Sequence, residues 1–268
     1  MSRALAPFER RLGEVVAVDA VGAYRRLRCT DPGGPVPRPG QFYMLATAAG
    51  WGGGEDERPY LPRAFSYLRH AAGELEFLLE DVGPGTHRLT DARPGEGIWL
   101  LGPLGAGFAP PRDGREPLLV GGGIGIVPLA PLQHAISDPT DPLGTGQGRV
   151  LLGFRDEAHA AAAGLMRDAT VCTDDGSTGH HGLVTEVLDE RLGEHVEVYA
   201  CGPPAMLEAV RLMTGERGVP AQLALESGMA CGFGACFGCV VPTHDGYVRV
   251  CVDGPVLEAG DLEAVPAP

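Results

Sequence analysis

Residues 117–136 read PLLVGGGIGIVPLAPLQHAI. The apolar run PLLV stops at a glycine turn, and a second apolar run follows that is long enough for a helix. Strand, glycine turn and helix form the unit from which parallel sheets are assembled. In the turn, Gly121, Gly122, Gly123, Ile124 and Gly125 let a phosphate or ribose approach the backbone at a helix N-terminus. The full G-x-G-x-x-G fingerprint is missing, and a turn that binds nothing can have the same letters.

Toward the C-terminus the rhythm repeats. RVLLGF (149–154), ATVCTD (169–174) and VEVYACG (196–202) are apolar strand candidates, and GLVTEVLDERL (182–192) and PAMLEAVRLMTGERG (204–218) have helical character. The expected architecture here is α/β with a parallel sheet. SDPTDPLGTGQGR (137–149) reads as a surface loop. Cys201, Gly202 and Pro203 end a strand and precede a helix, which puts them on the carboxyl edge where such sheets bind ligands. A buried apolar thiol is the competing reading of Cys201. Asp174-Asp175-Gly176 reads more readily as a cap than as a ribose contact. His180 and His181 read as loop residues pointing apart, with no site assigned.

Toward the N-terminus, from Leu12 to about Gly107, the runs are shorter and β-rich: GEVVAVDA, AYRRLRCT, QFYMLAT, AFSYLRH, LEFLLEDV and GIWLLGPLG. Gly/Pro turns separate them, which suggests a small antiparallel β-barrel with one short helix after Pro84. WGGGEDERPYLP (51–62) reads as an exposed loop. Arg63-Ala64-Phe65-Ser66 opens a strand, and Gly83-Pro84-Gly85-Thr86 heads the short helix. A guanidinium and a helix-initial Gly-Thr turn are two anion sites that suit one dinucleotide. Their plain alternatives are a solvated arginine and a bare turn.

Beyond about Gln222 the chain reads ESGMACGFGACFGCVVPTHDGYVRVCVDG (226–254). Cys231, Cys236 and Cys239 are spaced C-x4-C-x2-C, and Cys251 follows after a hairpin signal at HDG. This is the ligand order of a plant-type [2Fe-2S] centre. The glycines between the cysteines allow the tight curl such a centre needs. Four thiolates also suit zinc, although zinc ribbons present two C-x2-C knuckles and only one occurs here. Such a tail is too small to fold well without its metal.

Composition sets the outer bounds. A formal net charge of -14 in 268 residues argues against nucleic-acid phosphates and anionic lipid as partners. No Lys occurs among the 21 Lys and Arg positions, a sign of coding bias rather than of mechanism. No apolar run suits a signal peptide or a membrane span, so the expected compartment is the cytoplasm. There a cysteine cluster signals metal more than disulfides.

R-A-F-S, G-P-G-T, G-G-G-I-G, C-G-P-P-A-M and the cysteine tail, in this order, resemble the ferredoxin-NADP reductase superfamily. Within it the chain is most similar to the electron-transfer subunits of class 1B dihydroorotate dehydrogenases. The resemblance spans nearly the whole chain and implies three units: an FAD-binding β-barrel (1–112), an NAD-binding α/β domain (113–221) and a small [2Fe-2S] domain (222–268). It implies FAD contacts at Arg63, Ala64, Phe65, Ser66, Leu78, Leu79, Glu80, Gly85 and Thr86, with the four tail cysteines as cluster ligands. One departure is Ala64, where the family usually has proline.

The implied partner is an FMN-containing dihydroorotate dehydrogenase catalytic subunit, two of each forming a heterotetramer in pyrimidine biosynthesis. Electrons would pass through [2Fe-2S] and FAD to NAD as transient substrate, with no side chain acting as nucleophile or general base. Competing readings are a reductase subunit of the ferredoxin oxidoreductase or sulfhydrogenase type and, from another class, a zinc-stabilised nucleotide-binding protein. The lack of an obvious basic pair after the second strand leans toward NAD over NADP, and Arg155 in GFRDE keeps that choice open.

Overall fold

A computed structural model describes residues 9–51, 60–112 and 114–266. Residues 52–59, most of the loop expected at 51–62, lie outside the described set.

Seven antiparallel strands form the first sheet: β1 (Arg11–Val21), β2 (Tyr24–Thr30), β3 (Phe42–Thr47), β4 (Arg63–Ser66), β5 (Arg69–Ala71), β6 (Glu74–Leu79) and β7 (Gly97–Leu104). Their spatial order is β4-β3-β7-β1-β2-β6-β5. The two edge strands β4 and β5 are joined by Tyr67 and Leu68 alone. Two intervening residues let Ser66 and Arg69 stand no further apart than about 11 Å, so the sheet has to curl until its edges come together. Val15, Leu27, Tyr43, Leu45, Phe77, Leu79 and Ile98 fill the space inside. Helix α1 (Pro84–Thr90) follows β6, where the sequence placed it.

The second sheet takes β8 (Glu116–Gly122), β9 (Arg149–Phe154), β10 (Ala169–Thr173), β11 (His180–His181), β12 (Val196–Cys201) and β13 (Ala221–Ala224). All of these pair in parallel. Helices α2 (Ile126–Ser137), α3 (Glu157–Ala160), α4 (Val184–Arg191) and α5 (Pro204–Glu216) connect and cover it. Strands β12 and β13 are buried throughout, as a sheet covered on both faces demands. From β8 the chain winds one way through β9, β10 and β11, then returns to place β12 on the other side of β8. That reversal opens a crevice at the carboxyl ends of β8 and β12.

His180 and His181 are not loop residues. They form β11, pairing with Cys172 and Thr173 across the sheet edge. Two residues are too few to show a strand period, which hid them from the sequence.

The tail contains a hairpin, β14 (Val240–Thr243) with β15 (Gly246–Arg249), turning at His244-Asp245. Cys251 lies in the turn after β15 rather than on the strand itself. Strand β16 (Val256–Glu258) then pairs antiparallel with β13, so the tail adds the seventh strand of the second sheet. Val241, Val250 and Leu262 join the same apolar cluster as Val198 and Leu223 of that sheet and Phe42 and Met44 of the barrel.

Candidate cofactor and coenzyme site

Two cavities open at the crevice and share a wall. The larger, about 480 Å³, is lined by Gly122 at the end of β8, by Gly123, Ile124 and Gly125 after it, and by Gly202 and Pro203 after β12. The smaller, about 290 Å³, is lined by Ala64, Phe65 and Ser66 of β4, by Leu78 and Glu80, and by Thr86 of α1. Glu80, Ile124 and Glu226 line both. Volumes of this order hold part or all of a small ligand.

In the larger cavity glycine brings two loops together. A Cβ on Gly125 would stand 2.4 Å from the Cys201 carbonyl oxygen, and one on Gly122 would stand 2.6 Å from Met206 Sδ. The glycine turn therefore seats against the turn that opens α5. Gly121 and Cys201 stand behind this surface and do not line the cavity. The Cys201 thiol is buried, and burial pushes it well above its ordinary range. Asp174 reaches the cavity wall, whereas Asp175 caps its own turn by accepting from Ser177 N at 2.9 Å.

In the smaller cavity the period of β6 decides which side chains reach the wall. Leu78 and Glu80 face it, and Leu79 between them points into the barrel core. Arg63 packs against the first turn of α1 at Gly85 and donates from Nη1 to the Leu61 carbonyl at 2.6 Å. Thr86 Oγ1 accepts from Val82 N and Gly83 N at 2.9 and 3.0 Å, which fixes that turn. Neither Arg63 nor Gly85 lines the cavity; both flank it.

The four tail cysteines lie in two pairs. Cys231 is beside Cys236, and Cys239 is beside Cys251. Among the described residues no three His, Cys, Asp or Glu side chains converge on a single ion position. Two thiolate pairs instead suit a centre with two metal atoms, each held by two sulfurs. Burial pushes Cys231 up, but backbone N–H groups of Cys236, Phe233 and Ala235 outweigh it and bring the thiol down to about 6. Cys251 N points at Cys239 Sγ at 3.4 Å, and Gly238 N at Cys236 Sγ at 3.4 Å. These donors stabilise anionic sulfur, whatever metal it holds. Cys239 and Cys251 are buried, whereas Cys236 is exposed.

Positive φ at Gly232 and Gly234, 78° and 87°, lets the loop fold this tightly. A Cβ on Gly232 would meet Met44 Cγ at 2.6 Å, so the loop rests on β3 of the barrel. Met44 pairs in turn with Ala64 of β4, and Met229, two residues before Cys231, lines the smaller cavity.

Several contributors escaped the sequence reading. Arg249 donates to the Gly234 carbonyl at 3.1 Å and lies 5.3 Å from the Phe237 ring, fastening the loop. Tyr24 and His159, ring centroids 5.3 Å apart, join barrel and α/β sheet at the larger cavity. Glu226 and Met229 stand in the tail stretch, but the sequence assigns them no role; only the folded chain brings them to the cavity walls.

Residues 226–263 match the family described as the iron-sulfur cluster binding domain of dihydroorotate dehydrogenase B. Over 236 residues the chain is 39% identical to the dihydroorotate dehydrogenase B (NAD(+)) electron transfer subunit of Geobacillus thermodenitrificans, covering 84% of this chain and 86% of that one. The chain belongs to the family of dihydroorotate dehydrogenase B electron transfer subunits. Its Caldanaerobacter subterraneus relative of the same name is 35% identical over 235 residues, with 85% and 88% coverage.

Among solved structures, the fold of this electron transfer subunit is similar to that of NADH-dependent reduced ferredoxin-NADP oxidoreductase, with a TM-score of 0.77 at 24% identity and 95% and 90% coverage. Phthalate dioxygenase reductase, a modular structure for electron transfer from pyridine nucleotides to [2Fe-2S], superposes with a TM-score of 0.61 at 16% identity and covers 96% of both chains. The expected architecture of curled antiparallel sheet, parallel α/β sheet and cysteine-bearing tail is the one observed. No helix of the described residues is long and apolar enough to cross a membrane.

Proposed function

We propose that this chain carries electrons from the catalytic subunit of a dihydroorotate dehydrogenase to NAD⁺. The observation that carries the reading is the order of the sites: cysteine loop, smaller cavity, larger cavity. Met229 links the first two, and Glu80, Ile124 and Glu226 link the last two. When bound, FAD supplies a centre that exchanges a hydride with NAD⁺ and single electrons with a [2Fe-2S] cluster.

The residues present fit these groups. Cys231, Cys236, Cys239 and Cys251 would hold the cluster, with the surrounding N–H donors sharing the sulfur charge. Ala64, Phe65, Ser66, Leu78, Glu80 and Thr86 would surround the flavin in a mostly apolar slot, and Arg63 beside Gly85 would hold its anionic part. Leu79 would act from the barrel side by fixing the strand that carries its neighbours. Gly122 to Gly125, Gly202 and Pro203 would receive the coenzyme, with Gly121 and Cys201 shaping that surface from behind. On this reading residues 1–112 bind FAD, 113–221 bind NAD and 222–268 bind the cluster.

The electron source is the FMN of the catalytic subunit, in an assembly of two copies of each chain, within the pyrimidine pathway. The cytoplasm is the compartment that suits seven cysteines without a disulfide, four of them given to a metal cluster on this reading. Co-expression with a dihydroorotate dehydrogenase catalytic subunit tests the reading. The pair should co-elute, contain FAD, iron and acid-labile sulfide, and reduce NAD⁺ with dihydroorotate. Zinc in place of iron, or a co-eluting pair unable to couple dihydroorotate to NAD⁺, overturns it.

A further inference from the structure

Arg155 follows β9, the strand beside β8, and lines the larger cavity with the glycine turn. In sheets of this kind the end of that neighbouring strand faces the coenzyme's adenosine ribose, and an arginine there accommodates a 2′-phosphate. By this rule alone Arg155 would favour NADP. The structure holds its guanidinium otherwise. Nη2 donates to Glu80 Oε1 at 2.6 Å, and Nε donates to His159 Nε2 at 3.0 Å. Glu80 follows β6 of the barrel, so the carboxylate that engages Arg155 arrives from the other sheet.

We propose that the Glu80–Arg155 ion pair is a specificity determinant for the 2′ position of the adenosine ribose, selecting NAD(H) against NADP(H). The inference rests on reading this cavity as the coenzyme site. Among the described residues, three carboxylates, Glu80, Asp174 and Glu226, line the cavity with this one guanidinium. A 2′-phosphate, nearly dianionic at neutral pH, would have to displace Glu80 and leave that carboxylate facing two others and the new charge. A ribose 2′-hydroxyl asks for no such displacement and finds carboxylate acceptors at hand. Specificity then comes from the introduced repulsion as much as from attraction. Because Glu80 also lines the smaller cavity, the discrimination holds only while barrel and α/β sheet are docked.

Holoprotein is titrated calorimetrically with 5′-AMP and with 2′,5′-ADP, and NADH and NADPH are compared as reductants of ferricyanide, an assay that needs no partner subunit. The wild type should prefer 5′-AMP. Glu80→Gln should raise 2′,5′-ADP affinity and relative NADPH use about tenfold. Adding Arg155→Gln should remove that gain, whereas Arg155→Gln alone should leave 2′,5′-ADP as weak as in the wild type. An unchanged preference in Glu80→Gln, or a gain of 2′,5′-ADP affinity in Arg155→Gln alone, overturns the inference and leaves the coenzyme reading intact. Failure of the wild type to bind 5′-AMP overturns the coenzyme reading itself and this inference with it. Arg155 does not line the smaller cavity, so a gain of 2′,5′-ADP affinity in Arg155→Gln alone overturns the inference even if Glu80→Gln loses its flavin.

Discussion

Arg63 lies over Gly85 so closely that a Cβ on that glycine would stand 2.6 Å from Arg63 Nε. Arg63 of β4 and Gly85 of α1 are 22 positions apart in sequence, and this contact brings them into one corner. Gly85→Ala would push on a flexible side chain rather than on backbone, so the fold should survive with a stability change within about 0.5 kcal/mol. The guanidinium would move, and FAD affinity measured on apoprotein should fall about tenfold. Unchanged FAD affinity at unchanged melting temperature would show that Arg63 holds no part of the flavin.

Gly125 offers the opposite case. Its added Cβ would meet the Cys201 carbonyl carbon and oxygen at 2.5 and 2.4 Å, and backbone cannot swing aside. Gly125→Ala should destabilise the chain by about 1–3 kcal/mol. It should also raise the KM for NADH while leaving bound FAD in place. Thermal denaturation and diaphorase kinetics, read together, check both halves.

Cys236 and Cys239 are three positions apart but differ in surroundings, one exposed and the other 2% exposed. Cys236→Ser should abolish electron passage to the catalytic subunit with little loss of stability, and NADH should still bleach FAD. Cys239→Ser adds a buried hydroxyl and should cost about 1–3 kcal/mol besides. Equal melting temperatures for the two variants would contradict the burial difference.

Arg249 fastens the cysteine loop through the Gly234 carbonyl, the Phe237 ring and Asp253. Phe237 has φ 59°, a left-handed conformation that a bulky residue adopts only when its surroundings impose it. Arg249→Met should therefore speed iron loss to a chelator several-fold, with a stability cost of about 1 kcal/mol. Chelator kinetics followed by visible absorbance provide the readout; an unaltered rate would refute the fastening role.

Burial raises the Glu226 carboxyl above its ordinary value. Though solvent reaches its side chain, Glu226 stands in the concave wall between the cavities, so water surrounds it incompletely. A raised folded-state value means that the neutral form is favoured on folding. The cost of its charge appears as pH rises through the unfolded value and is complete above the folded one. Glu226→Gln should thus stabilise FAD-free protein at pH 7 and lose that advantage near pH 4, as denaturation across that range can measure.

The legible parts of the molecule were those written in local pattern. The PLLVGGG turn, the helix after Pro84 and the C-x4-C-x2-C spacing each fix a backbone shape within a few residues, and each appears where expected. Shared walls are not local. Glu226 and Met229 follow β13, whose four residues AQLA show no period and include Gln222, buried by its hydrogen bonds to Ala109 and Glu197. The alternation that sends Leu79 away from its neighbours was readable in β6, but only the folded sheet tells which face meets the cavity. Arg155 shows the same limit: its type suggested a phosphate, and a carboxylate 75 positions earlier answers it.

Strand β16 has one more consequence. Its Val256–Glu258 hydrogen bonds close the open rim of β13, and the Leu225 amide adds a bond to the Pro255 carbonyl at 2.9 Å. A chain cut before the cysteines would therefore not be a clean two-part reductase. It would carry a naked strand rim flanked by apolar side chains, a template for adhesion between molecules. The tail is a selvedge as well as a redox station: it finishes the edge of the fabric it is woven into.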